Sequence, residues 1–410
     1  RILCNSSIFA HACFHCSVLK DSGGRCAGIF CMQTVKFAAS AFLVLALFPD
    51  VSVSQYSPAL PVDSQPVKEV VVTASRLEEP LDETTNSISV INAAEIQRRG
   101  WRSVEEVLQN EAGVSVVRSG GQGGSSAAFI RGANSEHTLV LVDGVEANNP
   151  ATTAGTFDFS GLTVDNIERI EILRGPQSTL YGSNALGGVI NIITRKGQGA
   201  PSGTFSLEGG SYKSFTERVS LGGESGDVNY SLGASRSDSG GISAAGAPYG
   251  NSEHDGIGES AFSGRVGTQV SENLEAAMIL RGQSSRADLD NSGGVGGDDP
   301  NRLISIEALF ARLQGRSTFS AGALAQDFGV SYAQEGFDDN NDPDSAHPVD
   351  KLRSSYDGDI IKFDVQNTWK TTDWLTWVAG VETKEESANS RYRSESDFGP
   401  YESNFEDQSA

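Results

Sequence analysis

The sequence predicts two structures in tandem: an α+β domain over residues 76–199, then an antiparallel transmembrane β-barrel over residues 202–410. Three observations predict this. From Gly203 onward, runs of about ten residues alternate apolar and polar, the pattern of strands with one face in lipid. Phe205/Leu207, Val228/Tyr230/Leu232 and Ile361/Phe363/Val365 are examples, with Lys362, Asp364 and Gln366 filling the alternate positions of the last set. Beyond residue 54 no apolar run approaches the ~18 residues a membrane-spanning helix needs. Finally, Trp369, Trp374 and Trp377 flank a turn at Lys370–Asp373, as interfacial aromatic girdles do.

The elements follow in order. All five cysteines, Cys4, Cys13, Cys16, Cys26 and Cys31, precede the first methionine, Met32. From Met32 a basic start, an apolar run at Phe37–Phe48 and small residues at Ser52 and Ser54 read as a secretory signal cleaved near Ser54–Gln55. Residues 32–54 are therefore the expected signal peptide, and residues 1–31 the expected translated upstream sequence. His11, Cys13, His15 and Cys16 have ligand-type spacing, but they lack a good second pair and precede a cleaved signal. A mature chain without cysteine suits export to an oxidising compartment.

Residues 55–67 are rich in Ser, Pro and Val and read as an extended linker. Lys68-Glu69-Val70-Val71-Val72-Thr73-Ala74-Ser75 then has high β propensity. Within residues 76–199, helical spacing appears at Ala93–Arg99 and Ser103–Gln109, and Ser103 stands three residues before Glu106 as a helix start. Short β-type runs occur at Ser87–Ile91, Leu139–Val142, Ile167–Leu173 and Val189–Thr194, and Gly120–Ser126 is a glycine-rich loop. Asp143-Gly144 marks a tight turn. In the barrel, Leu221–Val228 and Val270–Leu274 are brief connections, whereas Ser237–Glu259, Ser284–Asn301 and Gly336–Asp357 are long, acidic and glycine-rich. That asymmetry belongs to outer-membrane barrels.

A net charge of −22 excludes a nucleic-acid partner, whose phosphates call for basic surface. No nucleophile-elbow, dinucleotide or zinc-protease motif occurs, and His137, His254 and His347 are far apart, so nothing supports an enzyme.

Residues 129–195 carry the most specific text. Phe129-Ile-Arg-Gly-Ala-Asn134 is followed by Leu139-Val-Leu-Val-Asp-Gly-Val145, then by Ile170-Glu-Ile-Leu-Arg-Gly-Pro176 and Tyr181-Gly-Ser-Asn-Ala-Leu-Gly-Gly188. This resembles the plug domain of TonB-dependent outer-membrane receptors, among them the cobalamin receptors, over residues 67–199. The resemblance implies a barrel of 22 strands, of which about nine or ten are present here. It implies an outer-membrane location with lipid around the barrel, and import of cobalamin or another large chelate with no required cofactor. It makes residues 68–75 the TonB box, an extended segment that adds as a strand to TonB, which works with ExbB and ExbD. An ordinary first strand is the bland reading of the same residues.

The resemblance also places substrate at Gln122, Ser125, Ser126, Ala127, Asn134, Thr152 and Thr153. Small polar side chains there suit a ligand with many amide arms, although a glycine-serine loop can simply be flexible. Ala127 departs from the family, which has serine there. Glu253, Asp255, Asp290 and Asp299 fall at the family's calcium loops, where Ca²⁺ would take about six to eight oxygens. Ser243 replaces a family aspartate, and solvated acidic surface is the alternative. Arg131 and Arg174 are expected to pair with Glu171, or with barrel acids such as Glu208 and Glu217. The rival readings are a ferric siderophore or haem receptor, a non-transporting adhesin or signalling receptor, and a soluble β-sandwich behind a plug-like domain.

Overall fold

The computed structural model describes residues 70–409, apart from 72–76, 78, 153, 244, 246, 250, 252–253, 292–296, 345–347, 349–350, 373 and 397–398. The expected leader, signal peptide and linker, together with Lys68, Glu69, Val72, Thr73, Ala74, Ser75, Thr153 and Glu253, lie outside the described residues.

The first two strands, β1 (Val70–Val71) and β2 (Glu79–Pro80), pair antiparallel with each other. The plug follows with β3 (Ser87–Asn92), β4 (Val114–Arg118), β5 (Ser126–Ile130), β6 (Thr138–Val142), β7 (Val145–Glu146), β8 (Ile167–Arg174) and β9 (Gly188–Thr194). Five of these form one sheet in the order β3-β8-β9-β6-β7, with β6 and β9 parallel. β4 and β5 form a separate hairpin around the glycine-rich loop. The sequence pattern did not show these two strands, because glycine and serine around residues 119–126 hide the alternation.

Local chemistry fixes both longer helices. Asn92 caps Ala93–Arg99 by accepting from Glu95 N at 3.0 Å, and Gly100, at φ 72°, ends it in the left-handed conformation. Ser103 caps Val104–Gln109 by accepting from Glu106 N at 3.2 Å, while Glu106 reaches back to Arg102 N at 2.7 Å. Val104, Val107 and Leu108 sit on one face of that helix and are fully buried. They pack with Ile130, Val140, Ile170, Ile172, Ile190 and Ile192 in a core that takes in barrel residues Ala308, Phe310, Ala333 and Ile360. Both faces of β6 are covered, the other by a cluster with Leu173, Ala185 and Val189.

Ten strands form a single meander: β10 (Ser202–Gly209), β11 (Phe215–Ser225), β12 (Val228–Ile242), β13 (Asp255–Ser271), β14 (Leu274–Asp288), β15 (Leu303–Phe319), β16 (Leu324–Asn341), β17 (Lys351–Thr372), β18 (Leu375–Ser396) and β19 (Gly399–Ser409). Each is antiparallel to the next. No described helix is long and apolar enough to cross a membrane. Val219, Leu232, Phe262, Met278, Leu313, Val330, Phe363 and Val381 are exposed on the outer face, while Ser231, Ser263, Arg281 and Glu335 are buried on the inner one. Two outward glycines lie under phenylalanine rings of their register partners, Gly282 beneath Phe262 and Gly315 beneath Phe328. Trp369 and Trp377 are register partners beside the β17–β18 turn, as the aromatic-girdle reading expects.

The connections are shorter than the sequence suggests. Leu221 and Val270 lie inside strands, and the turns are Gly226–Asp227 and Glu272–Asn273. On the opposite side, β12 runs on to Ile242 and β13 starts at Asp255, so the strands climb well into the expected loop Ser237–Glu259. The same holds for β16–β17, while of β14 and β15 only β14 enters the expected loop Ser284–Asn301. Beyond the lipid both strand faces are polar, so alternation vanishes while the backbone ladder continues.

Candidate functional site

The plug is held inside the sheet along a seam with two ends. Gly123 of the β4–β5 loop lies so close to Ala287 and Ile257 that a Cβ would collide with Ala287. Both wall residues are near the long connections. Gly197, by contrast, lies against the backbone of Tyr230 and Gly223, near the Gly226–Asp227 turn. The glycine-serine loop therefore points to the long-loop end, and the chain enters the barrel from the short-turn end.

Of the expected substrate residues, Gln122 is exposed and Ser125 half-buried in the loop between β4 and β5. Ser126 and Ala127 instead open β5, and Ser126 is buried with its N–H donating to Asp158 Oδ1 at 2.9 Å. Thr152 organises its own loop: its hydroxyl donates to Asn149 O at 2.9 Å and accepts from Thr156 N at 2.8 Å. Asn134 is exposed and follows the far end of β5 from Ser126, so the structure does not bring it beside Ser125.

Sequence reasoning missed what holds these loops. Asn148 Oδ1 accepts from Val140 N at 2.8 Å, and its amide donates to Thr138 O and Gly155 O at 3.1 and 3.0 Å. Asn149 Oδ1 accepts from Ala151 N at 2.8 Å, while its amide donates to Glu335 in the wall. Asp158 Oδ1 also accepts from Ser160 N at 2.9 Å, tying the end of this segment to the first residue of β5. The Asn-Asn-Pro run at 148–150 is a turn signal that would have marked the loop. Asp158 carries no such signal.

A second set of contacts centres on residues 163–166. The fully buried Arg281 of β14 donates to Thr163 O at 2.8 Å and Asp165 O at 3.0 Å. Arg218 of β11 donates to Asp165 Oδ1 at 2.8 Å. Ser231 of β12 donates to Asn166 Oδ1 at 3.0 Å, and Asn166 donates to Ser263 Oγ of β13 at 2.8 Å. Four consecutive strands thus grip three plug residues, Thr163, Asp165 and Asn166.

The arginine expectations need correction. Arg174 donates to Ala112 O at 2.8 Å, Ser89 Oγ at 2.9 Å and Glu111 Oε2 at 3.1 Å, so it ties β8 to the root of β4. Glu171 is taken by Arg169 at 2.8 Å, because Arg169 lies two residues away on the same strand face. Glu208 does bind a plug arginine, but it is Arg102, and it shares Arg218 at 3.2 Å. Glu217 is exposed. Asp143-Gly144 forms the expected turn, with φ 51° and 80°. Asp143 accepts from Thr194 N at 2.9 Å and Thr194 Oγ1 at 2.8 Å. Desolvation lifts its carboxyl above the usual range, opposed by these bonds and by the charges of Arg265 and Arg281.

Of the acids expected to hold calcium, Asp255, Asp290 and Asp299 are among the described residues. Among the described residues no group of three or more His, Cys, Asp or Glu side chains is placed to hold a metal ion. Asp290 accepts from Ala245 N, with the Ser243 hydroxyl 3.5 Å away. Asp299 accepts from the Asn291 amide, from Asn341 Nδ2 at 2.6 Å and from Asn301 N at 3.2 Å. Asp255 is buried at the start of β13. Donors supplied by the protein thus engage one oxygen of Asp290 and both oxygens of Asp299, while Asp290 Oδ1 is buried with no hydrogen-bond partner among the described residues. In the segment expected to be the TonB box, Val70 and Val71 are extended and pair with Pro80 and Glu79.

Known proteins share both the sequence and the fold. The family model for the TonB-dependent Receptor Plug Domain matches residues 80–189. The vitamin B12 transporter BtuB of Photobacterium profundum is 31% identical over 321 residues, covering 78% of this chain and 50% of that protein. The vitamin B12 transporter BtuB of Vibrio vulnificus is 44% identical over 142 residues, covering 35% of this chain and 23% of that protein. The chain thus spans at most half the length of these relatives. The ferripyoverdine receptor of the Pseudomonas aeruginosa outer membrane superposes with a TM-score of 0.63 at 15% identity, over 83% of this chain and 50% of the receptor, a likeness of fold.

Proposed function

Because the chain belongs to the family of TonB-dependent outer-membrane receptors, we propose that the full-length protein imports cobalamin or a related corrinoid. The observation that carries this is the pair of plug loops around residues 122–125 and 149–156. They offer small hydroxyl, amide and backbone groups, and the first faces the long-loop end. Such a surface matches a large ligand with many amide arms, which binds through numerous weak polar contacts and bridging waters. The two relatives named vitamin B12 transporters support the same substrate. The long connections are rich in acids, whereas a ferric siderophore, itself anionic, favours arginine and aromatic clusters.

Release is driven from the other side of the membrane. Residues 68–75 present an extended strand to TonB, which with ExbB and ExbD pulls on the plug and frees the ligand into the periplasm. Equilibrium binding of cyanocobalamin and of ferric siderophores to the purified full-length receptor tests the substrate. Saturable binding of cyanocobalamin alone is expected; binding of a ferric siderophore in its place would replace the corrinoid reading with the siderophore one.

A further inference from the structure

The loop 149–156 does not hold its shape alone. Asn149 is 2% exposed, and its amide donates to Glu335 O at 3.2 Å and to Glu335 Oε1 at 3.1 Å. Glu335 lies on β16 and is the register partner of Gly358 on β17. A Cβ on Gly358 would collide with Asn149 Oδ1 and approach Pro150 Cδ to 2.9 Å. The two wall residues make one socket, in which Glu335 supplies two acceptors and Gly358 supplies room. Asn149 is well placed to transmit this seating, since Ala151 N and the Thr152 hydroxyl both bond to it, and Thr152 in turn binds Thr156. Ala333 and Ile360, two positions along from the socket, belong to the core shared by plug and wall. Rigid packing on both sides therefore backs the socket.

The geometry assigns the Glu335–Gly358 pair as positioning residues for substrate binding: they seat Asn149 and thereby preset the loop 149–156 in its ligand-receiving shape. The inference rests on the proposal that this loop receives substrate. Glu335 touches no ligand, being 3% exposed beneath the loop. Its contribution is preorganisation, which lowers the ordering cost that binding would otherwise bear.

Three variants of the full-length receptor test this, each read by amide hydrogen exchange of segment 149–156 without substrate and by cyanocobalamin affinity. Glu335→Ala removes the side-chain acceptor, and Gly358→Ala fills the socket. Both are expected to speed exchange at Ala151 and Thr156 and to weaken binding about tenfold. Glu335→Gln keeps an acceptor oxygen and should behave as wild type in both readouts. Unchanged exchange in both alanine variants overturns the socket, as does a glutamine variant as damaged as the alanine one. Faster exchange with unchanged affinity overturns the link to substrate. Failure of the wild-type receptor to bind cyanocobalamin, with exchange still responding, retires the corrinoid reading and leaves the socket standing.

Discussion

The two ends of the plug–wall seam are built differently. At residues 163–166 the plug offers backbone carbonyls and polar side chains, and β11–β14 answer with two arginines and two serines. At residues 147–160 the plug meets β15–β17 mainly by shape. Phe157 stacks edge-on to Phe159 at 4.8 Å and lies 6.4 Å from Phe310, and one asparagine sits in a socket. The first end is an anchor whose bonds have fixed directions; the second is a fitted surface that seats the loop by packing around one asparagine. The proposed transport would use both, because the plug must stay seated while its outward loops respond to substrate.

The largest expected effect lies in the anchor. Arg281→Ala leaves Thr163 O and Asp165 O buried without a donor, and should destabilise plug seating by about 4 kcal/mol. Urea titration of the full-length receptor, followed at Trp101, the plug's tryptophan, measures this. An unchanged midpoint would show that the plug does not depend on this arginine. On the fitted side, Phe157→Ala opens a cavity in the shared core and should cost about 3 kcal/mol by the same titration. A loss below about 1 kcal/mol would mean that the loop collapses into the space, which would contradict a rigidly fitted surface. Smaller still, Asn166→Ala removes two hydrogen bonds to Ser231 and Ser263, for about 2 kcal/mol. Because Arg218 and Arg281 remain, high-molecular-weight antibiotics should stay excluded from cells carrying it, whereas Arg281→Ala should admit them. Equal leakage from both variants would erase the distinction between the arginines and the asparagine.

Much of the plug was legible because its signals are local. The Ser103 cap and the Asp143-Gly144 turn each act within a few residues. The lipid-facing parts of the barrel were legible by alternation, and the strand ends above the lipid were not, since there both faces are polar. Partners chosen across the fold stayed hidden. Arg174 takes Glu111 and not Glu171, because β4 and β8 meet only in the folded domain. Glu335 is one acid among 53 Asp and Glu residues, and only its register with Gly358 reveals the socket. For the expected calcium acids only the family resemblance spoke in the sequence, and the side-chain amide that Asn341 brings to Asp299 comes from across the fold.

The proposed transport is tested most directly by uptake of labelled cyanocobalamin into a receptor-null Gram-negative strain expressing the full-length gene. Val71→Pro is measured beside the wild type, and a TonB-deficient host serves as control. Proline removes a backbone donor and should block strand addition at the proposed TonB box. Energy-dependent accumulation is expected with the wild type, and binding without accumulation with Val71→Pro or without TonB. Uptake of ferric siderophores but not cyanocobalamin, or full accumulation by Val71→Pro, would contradict it.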